Sequence, residues 1–204
     1  MGRIFGLVFF WAAACSSAVA QPHLEYREPA QQLAAELVVL AGDVRRLRYE
    51  TPGPLETQGL EKRLLGGVAS LPLTLRRAGA DSAVAARLRN AIDRRDWSSL
   101  ADQLNTLKQR YPFDIRPFQV AASTPATRKL GEKIHREVCG GCHDNPATQD
   151  TFLPAKNLAV LLKSMPRDEF VARLWLGVRG DKQTAYANPF SKTELAALIA
   201  WYEG

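Results

Sequence analysis

Apolar residues recur at helical spacing along most of this chain, and the pattern divides into two regions. Within 31–48, Leu33, Leu37, Leu40, Val44 and Leu47 fall at steps of three and four and line one face of a helix. Arg45, Arg46 and Arg48 stand near its end, where cations suit the helix dipole. Thr51-Pro52-Gly53-Pro54 reads as a turn. A second helical stretch begins near Leu60 and reaches Arg77, with Gly66-Gly67 and Pro72 expected to kink or divide it. Asp81 is placed to cap a third helix carrying Val84, Leu88 and Ile92. Asp96 or Ser98 is placed to cap a fourth, with Leu100, Leu104, Leu107 and Tyr111 on one side. Short connections make such helices antiparallel neighbours, so residues 21–111 are expected to form a small helical bundle.

Residues 112–126 contain three prolines beside Ser and Thr and are expected to be a linker. From 127 to 204 the pattern is a helix, a cysteine motif, a long irregular stretch and two further helices. The first of these spans 166–178, with Phe170, Val171, Leu174 and Trp175 as its apolar side. The last begins at Ser191-Lys192-Thr193-Glu194, a capping box, and carries Leu195, Leu198, Ile199 and Tyr202. β-Branched runs are scarce beside the many Ala, Leu, Arg and Glu, residues that lose little rotamer freedom on a helix. The fold class predicted is all-α. A hydrophobic fraction of 46% with 24% charged residues suits a folded globular protein and argues against wholesale disorder.

The first twenty residues have another character. Arg3 supplies a positive start, Ile4 to Ala14 is an apolar run, and Ala18-Val19-Ala20 fits a small-residue cleavage site. Residues 1–20 are expected to be a secretory signal peptide cut after Ala20, with the mature chain beginning at Gln21 in the periplasm. Lipidation at Cys15 is the competing reading, but Ala12-Ala13-Ala14 lacks the large aliphatic residue that usually precedes a lipidated cysteine. Membrane anchoring is therefore not expected unless Cys15 is lipidated. A formal net charge of +6, one unit of it from Arg3, is too modest to suggest nucleic acid as a partner. An acidic protein or an anionic surface suits it better.

Chemistry concentrates in Cys139-Gly140-Gly141-Cys142-His143. Two thiols three positions apart can each add to one vinyl group of a porphyrin, and the residue that follows presents an imidazole to the iron. One haem c, held covalently through Cys139 and Cys142 with His143 as iron ligand, is the expected cofactor. A thioredoxin-like C-x-x-C needs a βαβ surround, which the pattern lacks. A zinc site needs a fourth ligand, and only His23 and His135 remain, at unhelpful spacing. A plain disulfide leaves His143 without a role.

From about Pro125 to Gly204 the chain resembles the class I cytochrome c domain family, over roughly its last 80 residues. In that family a glycine-bearing helix precedes the haem motif and crosses an aromatic-bearing C-terminal helix. Gly131, Ile134 and Trp201 match those positions, while His135 replaces the aromatic usually found there. The resemblance implies that the carbonyl of Pro154 accepts a hydrogen bond from the proximal imidazole, fixing its tautomer. It also implies a methionine as sixth ligand shortly before the last helix. Here that segment reads Tyr186-Ala187-Asn188-Pro189-Phe190, with Asn188 where methionine is expected. Asn188 is the first choice for the distal position, as a weak ligand or beside an open site. Met165, in a Met-Pro dipeptide before the wrong helix, is the alternative; Tyr186, Lys163, His23 or a residue of the N-terminal bundle follow.

The function expected is one-electron transfer between periplasmic redox partners, one of them acidic. Binding of a small gas at an open distal site is the second reading, and service as the haem subunit of a larger oxidoreductase the third. No nucleophile triad, phosphate loop or paired carboxylate site stands out, which argues against a free-standing enzyme.

Overall fold

A computed structural model describes residues 28–120, 122–144, 155–177 and 189–204. The proposed signal peptide with Cys15, His23, and Pro154, Tyr186 and Asn188 lie outside the described residues. The fold is all-α, with no strand among the described residues.

Helix α1 (Pro29–Tyr49) is the shared element. On one side Leu33, Leu37, Leu40 and Val44 enter a core with α2 (Pro54–Arg77), α3 (Val84–Asp93) and α4 (Trp97–Arg110). On another, Ala35 and Val38 enter a second core with Phe118, α5 (Pro125–Ile134), α8 (Arg167–Leu176) and α9 (Lys192–Tyr202). A helix buried on two sides needs apolar residues over more than one stripe, which the run Leu37-Val38-Val39-Leu40 supplies.

Helix α2 starts six residues earlier than its apolar period indicates and is not divided. Pro54 opens it at the first helical position, where a missing N–H costs nothing. Pro72 cannot donate within the helix, yet Leu64, Val68, Leu71 and Leu75 are buried on both sides of it and the helix continues through. Gly67 is not a breaker either. A Cβ there would lie 2.7 Å from Cδ2 of Leu40, so the missing side chain is what lets α1 and α2 approach. Asp81 caps the turn leading to α3 rather than the helix itself, accepting from the Ala83 N–H at 2.8 Å. Asp96 caps α4 through the Ser99 N–H, as expected of it.

Residues 112–126 connect the two regions without being a free linker. Phe118 is 1% exposed, within a short 3₁₀ turn (Arg116–Phe118). Its ring lies 5.3 Å from that of Trp175 on α8, and Phe113 stacks on the same indole at 6.0 Å. Gln31 of α1 donates its side-chain amide to the Asp114 carbonyl. Prolines mark this stretch as irregular; its aromatics, which the proline count conceals, decide that it packs.

Charges seal the joint between α1 and α8. Asp43, 1% exposed, receives Arg63 of α2 at 2.6 Å and Arg173 of α8 at 2.8 Å. Arg173 also reaches Glu169 at 2.7 Å. Burial works against the Arg173 cation, but the two carboxylates outweigh it and push its pKa up. A Cβ on Gly42 would overlap the Glu169 carboxylate, so this glycine makes room for the network.

Removing Asp43 takes the shared carboxylate from Arg63 and Arg173 and leaves a gap between α1, α2 and α8, with Arg173 keeping only Glu169. Asp43→Ala is expected to destabilise the protein by about 3–5 kcal/mol. Asp93→Ala, which breaks the exposed Arg89–Asp93 pair, should cost less than about 1 kcal/mol. Urea unfolding of both variants checks the contrast.

Candidate functional site

The cysteine motif lies on one continuous helical rod. Thr124 caps its start by accepting from the Thr127 N–H. Helix α5 then passes through a π-helical turn (His135–Cys139) into the short α6 (Gly140–His143). Across this rod runs α9, held at its own start by the Ser191–Glu194 capping box. The crossing is closest at Gly131, where a Cβ would overlap the Ala197 carbonyl and lie 2.8 Å from Cβ of Trp201. Any larger residue forces the two backbones apart.

His135 occupies the crossing as a fully engaged side chain. Nδ1 pairs with the Tyr202 hydroxyl at 2.9 Å and Nε2 with the Asp144 carboxylate at 3.0 Å. Its ring lies 4.5 Å from that of Trp201. With both nitrogens occupied and 3% exposure it serves packing, which is the role its helical position indicates. Tyr202 touches Cys139 as well, and burial, followed by the neighbouring Cys139, pushes its hydroxyl pKa up.

Cys139 is half-buried and Cys142 exposed, and the two thiols are not joined. Burial raises the Cys139 thiol above its ordinary value, partly offset by the Tyr202 hydrogen bond. His143 follows directly. Its Nδ1 donates to the carbonyl of Lys156 at 2.7 Å, which fixes the tautomer and leaves the Nε2 lone pair free for a metal. The acceptor expected from the family resemblance is Pro154, which lies outside the described residues; the described acceptor stands two positions later.

Helix α7 (Leu158–Ser164) rises from this point, within the stretch expected to be irregular. Asn157 caps it through the Val160 N–H at 3.1 Å. Leu158, Ala159, Val160, Leu161 and Leu162 are apolar, yet none is fully buried, and Val160 is 63% exposed. Val138, beside the cysteines, is 61% exposed. Leu158, Ala159, Leu161 and Leu162 pack partly buried against the second core, which leaves Val160 and Val138 as the exposed apolar side chains of these two segments, the kind of surface a large apolar cofactor can cover.

Among the described residues, no three His, Cys, Asp or Glu side chains converge to hold a metal ion directly. A haem iron asks less, because the porphyrin brings four donors and the protein need supply a single imidazole. The donor set of Cys139, Cys142 and His143 therefore fits a haem better than a bare ion. On the distal question, Met165 ends α7 and packs, partly buried, against the second core. Lys163 is exposed.

The chain matches no family model, no curated protein and no solved structure.

Before any cofactor is attached, the two thiols should differ in reactivity. Cys142 is expected to be alkylated by iodoacetamide at pH 8 severalfold faster than Cys139, whose raised pKa and half-burial both lower its thiolate supply. Peptide mass mapping after a timed quench measures the ratio; equal rates would contradict the placement of Cys139.

Proposed function

We propose that this chain is a monohaem c-type cytochrome, related to the class I domain family over its C-terminal region, that carries single electrons between redox partners. The observation carrying this reading is the bond from His143 Nδ1 to the Lys156 carbonyl, which turns Nε2 into a free donor beside two thiols. Cys139 and Cys142 would form the two thioethers, and His143 would bind the iron. A haem so held supplies one-electron exchange between ferrous and ferric iron.

The residues of this chain supply position and environment. The Lys156 carbonyl orients the imidazole and strengthens it as a donor. The exposed Val160 and Val138 would offer apolar surface to the cofactor. The Gly131 crossing holds the motif's helix against α9. Arg128, Lys129, Lys133 and Arg136 are exposed along the helix leading to the motif, with Glu132 and Glu137 among them. That net positive face supports an acidic partner. Elsewhere Arg63, Arg89, Arg95, Arg167 and Arg173 are each paired within the chain. Export through the N-terminal segment suits this chemistry, since covalent haem attachment takes place outside the cytoplasm.

A second reading is favoured by Met165. Its side chain packs against the second core, and the sequence offers Asn188 where the family places methionine. An amide binds iron weakly, so the distal position would be exchangeable and could bind a small gas.

Co-expression with a haem-maturation system should yield one covalent haem per chain, seen by mass and by haem stain after denaturing electrophoresis. Replacing Cys139 and Cys142 together with Ala should abolish it, and His143→Ala should leave the haem attached with an altered spectrum. A wild-type chain that takes up no haem under competent maturation sinks the proposal. Optical spectra with and without carbon monoxide separate the readings. A low-spin spectrum unmoved by the gas supports electron transfer with a firm sixth ligand, and a shifted one supports the exchangeable site.

A further inference from the structure

Lys156 belongs to both halves of the molecule. Its carbonyl accepts from His143 Nδ1 at 2.7 Å, while its ammonium donates to Glu56 Oε1 at 3.0 Å. Glu56 stands in the first turn of α2 and is also paired with Arg46, in the last turn of α1. Lys156 is exposed, but its anchor is sheltered: the side chains of Glu56 and Arg46 are 22% and 16% accessible. Burial alone would raise the Glu56 carboxyl. The hydrogen bond and charge of Lys156, with Arg46 beside them, outweigh it and hold the pKa below the ordinary value, so Glu56 is ionised at neutral pH.

The peptide of residue 156 is fixed on its C-terminal side by the Asn157 cap of α7. A second fixed point is needed to aim its carbonyl, and the side chain of the same residue supplies one by gripping the bundle. We propose that Arg46, Glu56 and Lys156 form a latch through which the N-terminal bundle sets the carbonyl that holds His143, making Glu56 and Lys156 positioning residues for the proximal iron ligand. This inference rests on the reading of His143 as that ligand. It gives the bundle a task beyond burying its own helices: tuning the reduction potential from a distance. A loosened carbonyl bond makes the imidazole a weaker donor, which disfavours ferric iron and raises the potential.

The test is potentiometric titration of the full-length holoprotein in wild-type form and as Glu56→Ala, Lys156→Met, the double variant and Lys156→Arg. Both single variants are expected to raise the reduced-to-oxidised ratio at fixed ambient potential about two- to fivefold, which is about 20–40 mV for a one-electron couple. The double variant should match either single one, because the same latch is opened once, and Lys156→Arg should stay near wild type. Simple charge effects predict something else. Losing a carboxylate raises the potential, losing an ammonium lowers it, and the double variant cancels. That opposite-sign pattern, or unchanged potentials in all variants, overturns the latch while leaving the haem reading intact. A wild-type chain without haem overturns the haem reading itself, and the latch with it. A measurement free of variants adds a further check. High salt should shift the wild-type potential upward more than that of the double variant, because the ammonium end of the Lys156–Glu56 pair is exposed and is screened; equal shifts count against the latch.

Discussion

A carboxylate with 1% exposure must find its cations inside the protein, and Asp43 finds them on two different helices. Arg63 comes from α2 and Arg173 from α8, so a single side chain on α1 ties the bundle to the C-terminal region. Asp43 and Glu169 alone would be buried charges in a poor medium; Arg63 and Arg173, which are partly accessible, neutralise them. The same demand explains Gly42, whose missing side chain leaves room for the Glu169 carboxylate. Once α1 and α8 are fixed by charge, Ala35, Val38 and Trp175 can close as a core, and the segment around Phe118 is trapped beneath them. The two regions share a helix, a core and an ion network.

That arrangement changes what the helical bundle can be. A module that docks or dimerises can swing on a tether. This one is held at opposite ends of its first helix: near the start Gln31 holds the Asp114 carbonyl of the connecting segment, and near the finish Arg46 pairs with Glu56, which in turn holds Lys156. The proximal face of the candidate site is thereby built by contributions from both regions, although the chemistry-bearing residues all come from the second.

Periodicity made the helices legible wherever one face was apolar and the ends were punctuated. Asp96, Ser191 and Glu194 cap the elements that their positions indicate. Pro72 and Gly66-Gly67 do not divide their helix, because local rules describe what an isolated helix prefers, whereas Leu71 and Leu75 are held by their neighbours. Helix α7 escapes notice because Leu158 to Leu162 is apolar all round for five residues, too short a run to show a period. The cysteine motif is visible because Cys139, Cys142 and His143 lie within five consecutive positions. Lys156 is not, since nothing in a lysine's surroundings reveals that its carbonyl faces an imidazole thirteen positions earlier. The Asp144–His135–Tyr202 arrangement is equally silent, because it joins residues as many as 67 positions apart.

The π-helical turn at His135–Cys139 closes with the Gly140 N–H on the His135 carbonyl, one residue wider than an α-turn. In a regular helix each residue advances about 100° around the axis, so that extra residue rotates everything after it against everything before. Upstream, Gly131 must face α9; downstream, His143 must face the Lys156 carbonyl. A straight rod would force one set of directions to follow from the other. Deleting a single residue within the turn would restore ideal hydrogen bonding along the rod and swing the imidazole away from its carbonyl. Helical perfection and a correctly aimed histidine are competing outcomes at this turn, and the sequence keeps the imperfect helix.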